Sequence, residues 1–245
     1  MKAENAKALI FDLGCTLIEY EAYSWDELAK KAIANGHTYL LEQGVAIPAY
    51  EEFYTAYVEI RDKFRTQVAE DLVEWTITRA ARMLLDRLGT QYTDDLVEGF
   101  FDAYYEPVRN ELYVYDDTVT TLEKLRREFP IIGLISNTIF PERTHLAELE
   151  RFGLAEFFDF KIFSSTFGVR KPHPDIFYHA VNLAGYAPSE CIYVGDRYLE
   201  DVQGPTRIGM HAILKRRESR DYPDAMPEAW AEITRLDELP ELFEK

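Results

Sequence analysis

Two aspartates in this chain each follow a short apolar run that is typical of a buried strand. Asp12 comes directly after residues 8–11, and Asp196 comes after residues 191–194 and Gly195. A carboxylate at a strand end can attack phosphorus in line and form an aspartyl-phosphate, which divides one difficult displacement into two steps. Mg²⁺ prefers one or two carboxylates together with waters and substrate phosphate. The two aspartates are therefore candidates for a nucleophile and a metal ligand.

Other polar residues follow apolar runs or precede helices in an order that adds to this chemistry. Each of these features alone is common, because serine and threonine often occupy turns and lysines usually lie at the surface. Their order along the chain is the informative property. They are the Ser136-Asn137-Thr138 turn after residues 131–135, Lys171 among the prolines before Pro174, and Asp201 five residues after Asp196.

Short apolar blocks alternate with helical patterns along most of the chain, and they predict the elements that hold these residues. The blocks are continuous rather than alternating, which suits strands covered by helices on both faces. We therefore predict an α/β fold with a parallel sheet, in which ligands bind beyond the carboxyl ends of the strands. The predicted strands are 8–11, 131–135, 160–163, 191–194 and 212–214, and the helices between them span 117–128, 142–152 and 174–184.

The region from about 19 to 112 breaks this alternation and predicts four helices in a row. An aromatic stripe in the second helix repeats at three-and-four spacing, and we interpret it as the core of a small bundle, with substrate contact as the alternative. The stripe comprises Tyr50, Phe53, Tyr54, Tyr57 and Phe64. The helices are predicted from a capping box at Ser24 to Gly44, from Pro48 onward, up to Gly89, and from Thr93 to just before Pro107.

Together the four motifs resemble the haloacid dehalogenase-like (HAD) superfamily over residues 7–210. The motifs are Phe-Asp-x-x-x-Thr-Leu at Asp12, Leu-Ile-Ser-Asn-Thr at Ser136, the lysine–proline segment at Lys171, and Gly-Asp-x-x-x-x-Asp at Asp196. The resemblance implies a Rossmann-like core at residues 1–18 and 113–245. It also implies an inserted helical cap of the C1 type at residues 19–112.

The same resemblance implies a role for each matching residue. Asp12 would be the nucleophile, and Mg²⁺ would be bound by Asp12, the carbonyl of Gly14 and Asp196, with Asp201 orienting the metal shell. Ser136 and the backbone amides near Asn137 and Thr138 would hold phosphate oxygens, and Lys171 would neutralise the charge that gathers on them. Thr16 would contact the phosphate or, more simply, stabilise the turn. The expected substrate is a small phosphorylated metabolite.

Position 14 departs from the family pattern. Phosphatases of the family place a second aspartate there, which protonates the leaving oxygen and then activates water, and such assistance contributes about 10²–10⁴-fold. Gly14 cannot supply this function, and the Cys15 thiol is a weak oxygen acid. Glu19 and Glu21 are the nearest downstream carboxylates and could reach over the site, although acidic loop residues are usually solvated.

Three functions therefore stay open. The first is a Mg²⁺-dependent phosphatase with weak or leaving-group-dependent activity, and the second is a binding or regulatory protein that keeps the metal pocket. The third is hydrolysis of a carbon–heteroatom bond. Dehalogenases of the family carry a tyrosine at this position and use no metal. Phosphonatases carry a small residue there and use a cap lysine, which would implicate Lys30, Lys31 or Lys63.

Composition narrows the classes of partner. A hydrophobic content of 47% describes a globular chain, and a formal net charge of −17 opposes binding to nucleic acid or to an anionic membrane surface. No apolar run reaches the roughly 20 residues of a membrane helix. Two cysteines fit a reducing cytoplasm. The basic cluster Lys215-Arg216-Arg217 with Arg220 is predicted to be a solvated loop, and the oligomeric state is left open.

Two smaller expectations concern the cap and the last motif. Proline inside a helix costs about 3 kcal/mol, so a helix near Asp201 is expected to begin at Pro205 rather than run through it. Substrate contacts are expected from the cap, where nothing selects among the aromatic and arginine candidates. These candidates are Tyr20, Tyr23, Trp25, Arg61, Arg65 and Arg79.

Overall fold

The computed structural model describes residues 6–22 and 24–243, so Tyr23 lies outside the described residues. Six parallel strands form the main sheet in the order β5-β4-β1-β6-β7-β8, and β2 and β3 form a separate antiparallel pair. The strands are β1 (Ala8–Phe11), β2 (Ile18–Glu19), β3 (Tyr113–Val114), β4 (Ile131–Ser136), β5 (Phe160–Phe163), β6 (Cys191–Gly195), β7 (His211–Lys215) and β8 (Ala231–Ile233).

The helices fall into a consecutive group of four and a set that alternates with the strands. The first group is α1 (Trp25–Glu42), α2 (Tyr50–Asp71), α3 (Ile77–Arg87) and α4 (Asp94–Glu111). The second is α5 (Thr118–Glu128), α6 (Glu142–Arg151), α7 (Ser164–Phe167), α8 (Pro174–Ala184), α9 (Gly204–Thr206) and α10 (Leu239–Phe243), with a π-helical turn at Tyr198–Gln203. Among the described residues, none of these helices combines the length and the apolar character needed to cross a bilayer.

The centre of the sheet is buried on both faces, which explains the continuous apolar runs. All four residues of β1 are inaccessible to solvent, and β1 lies between β4 and β6. In this register Phe11 is opposite Leu134 on one side and Val194 on the other, so the residues that follow all three strands leave the sheet at one edge. The predicted parallel α/β sheet is confirmed, and β8 is an additional edge strand that the sequence analysis did not predict.

The chain divides into two compact units. One contains residues 6–19, 113–138 and 142–243, with the whole main sheet, and the other contains residues 20–22, 24–112 and 139–141. In the helical unit α1 packs along α4, and Gly36 makes their close approach feasible, because a Cβ there would lie 2.4 Å from the Phe100 ring. Phe53, Tyr57 and Phe64 of the aromatic stripe are buried in this unit, while Tyr50 and Tyr54 are half-buried and stack on each other.

Two predicted helix boundaries differ from the structure, and a third is met without its predicted capping bond. Helix α4 continues through Pro107 to Glu111, although a proline there removes one backbone hydrogen bond and crowds the preceding turn, because Tyr104, Tyr105 and Val108 are buried around it. Helix α1 begins after Ser24 as predicted, but the Ser24 side chain makes no capping hydrogen bond. The segment near Asp201 begins at Tyr198, as a π-helical turn, and not at Pro205. Pro205 is tolerated near the start of the following α9 because the first helical positions need no backbone N–H donor.

Candidate active site

The carboxyl edge of the sheet gathers three aspartates. Asp12 follows β1, Asp196 follows β6, and Asp201 lies in the π-helical turn after β6. One carboxylate oxygen from each of the three lies within 4.8 Å of the other two. Asp12 is 7% exposed, and Asp196 and Asp201 are inaccessible to solvent. Three buried carboxylates this close together require positive charge, because each ionised group is both desolvated and repelled by the others.

Lys171 supplies part of that charge. Its Nζ donates to Asp12 Oδ1 at 2.6 Å, to Asp201 Oδ1 at 2.7 Å and to the Tyr193 hydroxyl at 2.8 Å. Burial alone would favour the neutral amine, but the two carboxylates raise the pKa of Lys171 well above its ordinary value. Burial in turn raises the pKa of Asp12, against the opposing effect of the Lys171 ammonium. Lys171 and Asp12 are thus held as a buried, hydrogen-bonded ion pair.

Asp201 ties Lys171 to the loop that follows β6. Its second oxygen, Oδ2, accepts hydrogen bonds from the backbone amides of Asp196 at 3.1 Å and Arg197 at 2.8 Å. Gly195 makes this contact feasible, because a Cβ there would lie 2.4 Å from the Asp201 carboxyl carbon. Both oxygens of Asp201 already accept hydrogen bonds within the protein, so its contacts favour an orienting role.

Asp196 has one buried oxygen without a hydrogen-bond partner. Oδ2 accepts from Arg220 Nε at 2.5 Å, whereas Oδ1 has no partner among the described residues. Burial raises the pKa of Asp196 to about 7, and the nearby Asp12 and Asp201 carboxylates add to this effect while Arg220 opposes it. An unsatisfied buried carboxylate oxygen beside two further carboxylates fits a hard divalent cation, which takes oxygen ligands.

The loop after Asp12 is bonded to the aspartate itself. Thr16 donates its hydroxyl to Asp12 Oδ2 at 3.1 Å, so its observed contact stabilises the turn. Cys15 adopts a left-handed backbone with φ of 63°, which is uncommon for a residue that carries a Cβ. Gly14 lies in this turn and pairs with Ile18 as an isolated bridge. The predicted contribution of the Gly14 carbonyl to a metal site stays a prediction.

The turn after β4 differs in part from its predicted role. Ser136 is buried at the end of β4. The Asn137 side chain accepts from the Lys171 amide at 2.8 Å and donates to the Lys171 carbonyl at 2.9 Å. The backbone amide of Thr138 was expected to hold phosphate, but it donates to Ser164 Oγ at 2.8 Å. Asn137 therefore holds the backbone of Lys171, and the amide of Thr138 makes its hydrogen bond within the protein.

A buried polar chain behind this turn was not predicted. Thr138 Oγ1 lies 2.6 Å from His145 Nε2, and His145 Nδ1 lies 2.8 Å from Glu148 Oε2. His145 and Glu148 are three residues apart on α6, a spacing that places them on the same face of the helix. The spacing was visible in the sequence, but nothing in the sequence indicated that Thr138 would reach them.

The basic cluster after β7 is not a solvated loop, which corrects the prediction. Lys215 is 5% exposed, and its Nζ donates to the Cys15 carbonyl at 3.2 Å. Arg217 bonds both oxygens of Glu19, at 2.8 and 3.1 Å, and Tyr115 donates to the same carboxylate at 2.7 Å. Lys215 ends β7, which lies next to the edge strand β8, and Arg217 and Arg220 follow it. These three cations are held against carbonyls or carboxylates, whereas Arg216 is exposed.

Glu19 is consequently not placed to replace the acid that position 14 lacks. Both of its oxygens are hydrogen-bonded by Arg217 or Tyr115, and the residue is 6% exposed. Arg217, Arg220 and Tyr193 are the site residues that the sequence analysis did not identify. Arg217 and Arg220 follow a predicted strand and Tyr193 lies within one, and neither position by itself indicates a contact with the aspartates or their loops.

Comparisons with known proteins agree over nearly the whole chain. A family model described as haloacid dehalogenase-like hydrolase matches residues 6–209. A glyceraldehyde 3-phosphate phosphatase of Methanopyrus kandleri is 30% identical over 222 residues, covering 90% of this chain and 88% of that protein. The haloacid dehalogenase-like hydrolase domain-containing protein 3 of Mus musculus is 30% identical over 215 residues, covering 85% of this chain and 81% of that protein.

Solved structures give a similar result. A crystal structure of a 2-haloacid dehalogenase from Pseudomonas syringae has a TM-score of 0.71 and 25% identity, covering 97% of both chains. A crystal structure of a HAD phosphatase from Thermococcus onnurineus has a TM-score of 0.61 and 26% identity, covering 96% of this chain and 97% of that one. The matched proteins thus include phosphatases and a dehalogenase.

Proposed function

This chain belongs to the haloacid dehalogenase-like hydrolases, and on that basis we propose that it is a phosphatase that acts on a small phosphorylated metabolite through an aspartyl-phosphate at Asp12. The observation that supports this proposal most directly is the buried cluster of Asp12, Asp196 and Asp201 around Lys171, with Asp196 Oδ1 unpaired. A carboxylate nucleophile beside an ammonium and further buried carboxylate oxygens suits transfer of a dianionic phosphoryl group.

Each residue has a separable task in this proposal. Asp12 attacks phosphorus with one carboxylate oxygen, and Lys171 keeps that carboxylate ionised and offsets the charge of the phosphoryl oxygens. Asn137 and Asp201 hold Lys171 in place from its backbone and its ammonium respectively. Ser136, at the end of β4, is the proposed hydroxyl contact for a phosphate oxygen. A Mg²⁺ ion held by Asp12, Asp196 and the Gly14 carbonyl would supply the positive charge that the three carboxylates lack.

The absence of an acid at position 14 limits the leaving groups that this site can expel. A poor leaving group needs a proton from the enzyme, whereas an acyl or aryl phosphate departs as a stable anion. We therefore expect weak turnover that depends strongly on the acidity of the leaving group. Several curated relatives are named glyceraldehyde 3-phosphate phosphatase, which makes a triose phosphate one substrate to include in the test.

The helical unit is proposed to be the cap of the C1 type, with the boundary near Glu19 and Leu112. Substrate contacts would then come from this unit. Among the candidates, Arg61 is partly buried and bonded to Asp62, Arg79 lies over the Phe64 ring, and Arg65 is exposed. None of these contacts selects one residue as the substrate ligand.

The decisive experiment is a rate series on aryl phosphates with graded leaving-group pKa, together with glyceraldehyde 3-phosphate, with and without Mg²⁺. We expect the rate of the wild-type protein to fall steeply as the leaving-group pKa rises, and to require Mg²⁺. Asp12→Asn should abolish turnover of every substrate, because the amide is not a nucleophile. Capture of a phosphorylated protein that the Asp12→Asn variant fails to form would support the covalent step.

Two results would contradict the proposal. A rate that is flat across leaving groups would mean that departure of the leaving group does not limit turnover. Substantial turnover by Asp12→Asn would mean that another group is the nucleophile. Partner binding that is unaffected by Asp12→Asn, combined with no turnover at all, would instead favour the binding or regulatory protein.

A second function is favoured by one observation. The 2-haloacid dehalogenase from Pseudomonas syringae has a TM-score of 0.71 to this chain. In hydrolysis of a carbon–halogen bond Asp12 would attack carbon and halide would leave without a proton, so Gly14 would be no handicap. The unpaired acidic oxygen at Asp196 weighs against this function, and Mg²⁺-independent halide release from a 2-haloacid would establish it. The phosphonatase alternative has less support, since Lys30, Lys31 and Lys63 are exposed and lack the apolar pocket that activates a Schiff-base lysine.

A further inference from the structure

The segment Arg216–Tyr222 after β7 bonds to both loops that frame the acidic cluster. On one side Arg217 reaches the Cys15 carbonyl and Glu19, next to the Asp12 loop. On the other side Arg220 and Tyr222 both contact Asp196. The Tyr222 hydroxyl also accepts from the Arg217 backbone amide at 3.1 Å, which fixes the two halves of the segment together. We call these residues the basic strap.

The backbone and the carboxylate of Asp196 make hydrogen bonds that leave one carboxylate oxygen without a partner among the described residues. Its amide donates to Asp201 Oδ2 at 3.1 Å, and its carbonyl accepts from the Tyr222 hydroxyl at 2.9 Å. Its Oδ2 accepts from Arg220 Nε at 2.5 Å. Only Oδ1 has no hydrogen-bond partner among the described residues, although it is buried. The arrangement therefore fixes the carboxylate plane and reserves one oxygen.

We propose that Arg220 is a positioning residue for metal binding, which holds Asp196 through Oδ2 so that Oδ1 is presented to a divalent cation. This inference rests on the metal site of the proposed function and adds to it a residue from outside the four motifs. The Arg220 side chain is 16% exposed and that of Asp196 is 1% exposed, so the contact is shielded from water and keeps a defined geometry.

A different role for the same contact would be simple competition, in which the guanidinium occupies the site and a cation must displace it. The two roles predict opposite results. Loss of a competing charge raises the affinity for every divalent cation by a similar factor. Loss of a positioning contact acts most on Mg²⁺, because Mg²⁺ demands near-octahedral geometry whereas Ca²⁺ accepts flexible arrangements. The ratio of the two affinities therefore separates geometry from charge.

The test is isothermal titration calorimetry of the full chain with MgCl₂ and with CaCl₂, for the wild type, Arg220→Gln and Arg220→Lys. We expect Arg220→Gln to weaken Mg²⁺ binding by about 10- to 100-fold, the range typical of outer-shell partners of metal ligands. Ca²⁺ binding should change much less, so the Mg²⁺ to Ca²⁺ affinity ratio falls. Arg220→Lys keeps the charge but loses the planar Nε–H donor, and the ratio should fall in that variant as well.

Arg82→Gln is the matched control. It removes the same charge, but Arg82 pairs with the exposed Asp94 at 2.8 Å and should leave the ratio unchanged. Circular dichroism and thermal melting of each variant report folding separately, and Arg220→Lys gives the answer if Arg220→Gln does not fold.

Each outcome of the titrations supports or contradicts the positioning role of Arg220. An unchanged Mg²⁺ to Ca²⁺ affinity ratio, whether both affinities stay the same, rise together or fall together, would overturn the positioning role while leaving the metal site intact. A wild-type protein whose weak response to both ions equals that of Asp196→Asn would show that the proposed metal site itself is wrong, and the inference would fall with it.

Discussion

The side chain that Gly14 lacks would have been the second acid of the turn after β1. In the structure no carboxylate within that turn replaces it, since Glu19, the next acid along the chain, is bonded to Arg217 and Tyr115. The proposed nucleophile Asp12 and the Lys171 ammonium are nevertheless in hydrogen-bond contact at 2.6 Å. The groups proposed for in-line attack are therefore together at this site, and proton transfer to the leaving oxygen is the expected weak point.

Introduction of the acid should restore that proton transfer. We expect Gly14→Asp to raise turnover of an alkyl phosphate ester by about 10²-fold, the lower end of what general acid–base assistance contributes. Turnover of an aryl phosphate with an acidic leaving group should change little, because its departure needs no proton. Steady-state rates on the two substrates measure the effect, and Gly14→Asn serves as the control of equal size.

No gain in the Gly14→Asp variant, after Mg²⁺ binding has been verified by calorimetry, would mean that loop geometry rather than the missing acid limits the rate.

Individual site residues were predictable where a short local motif indicates their chemistry. Asp12, Lys171 and Asp196 follow short motifs, and the structure brings all three into one cluster with Asp201. Arg220 was not predictable, because its contact with Asp196 spans 24 residues and depends on how the chain returns after β7. The partner of the Thr138 amide was hidden for the same reason, since Ser164 follows another strand.

At the scale of secondary-structure elements, Asp159 connects α5, β4 and the start of β5. Its carboxylate accepts two hydrogen bonds from Arg126 on α5, at 2.5 and 2.8 Å, and one from the Ile132 amide of β4 at 2.8 Å, just before β5 begins. Partial burial would raise the pKa of Asp159, but the bonds from Arg126 and Ile132 lower it below the ordinary value. The ionised carboxylate thus stabilises the folded state.

When the pKa of a carboxyl group is lower in the folded state than in the unfolded state, its ionisation stabilises the folded state. This contribution is fully present above the unfolded-state pKa and is lost as the pH falls through the folded-state pKa. We expect Asp159→Asn to lower the free energy of unfolding by about 1 kcal/mol at pH 7, a figure discounted because the pair is about one-third exposed. The difference should shrink below about pH 3.9. Urea unfolding of both proteins from pH 7 to pH 3 measures it.

Glu232→Gln is the comparison for that experiment, because Glu232 also pairs with an arginine but its side chain is 40% exposed and accepts no backbone hydrogen bond among the described residues. It should change stability by less than about 0.5 kcal/mol. A pH-independent loss in Asp159→Asn would mean that packing rather than charge is responsible.

Element boundaries were predictable where a capping residue sits at the end of the helix. Helix α8 begins at Pro174 and ends before Gly185, whose φ of 75° suits glycine. Boundaries failed where tertiary packing outweighs a proline. Pro107 lies inside α4, where Tyr104, Tyr105 and Val108 are buried around it, and Pro205 follows a π-helical turn that no local rule anticipates.

For the whole molecule, the net charge of −17 makes cation binding and stability closely related. A ligand that binds only the folded state adds about 2.7 kcal/mol when its concentration is 100 times Kd. For a unit of this size we expect saturating Mg²⁺ to raise the melting temperature by about 5–10 °C. Differential scanning calorimetry measures the shift, and the Asp196→Asn variant should lose it.

Ionic strength is the necessary control, because screening of a net charge of −17 also stabilises the folded state. NaCl at matched ionic strength should give a smaller shift that is equal in wild type and Asp196→Asn. Equal shifts from MgCl₂ in the two proteins would contradict specific binding at Asp196.

The architecture of the sheet was predictable because strands buried on both faces leave continuous apolar runs, as in β1 and β6. The edge strand β8 left no such run, since it has three residues and Glu232 at its centre is exposed. The strand order could not be predicted from the sequence either. Neighbours such as β1 and β6 are far apart along the chain, and the apolar pattern of one strand does not identify the strand that pairs with it.

The three hydrogens of the Lys171 ammonium are all donated within the protein, to Asp12, Asp201 and Tyr193. A phosphoryl oxygen that approaches this lysine must therefore replace one of these acceptors, and it gains only the difference between the two bonds. When phosphate departs, the displaced acceptor returns to the lysine. We therefore expect the resting protein to hold inorganic phosphate only loosely.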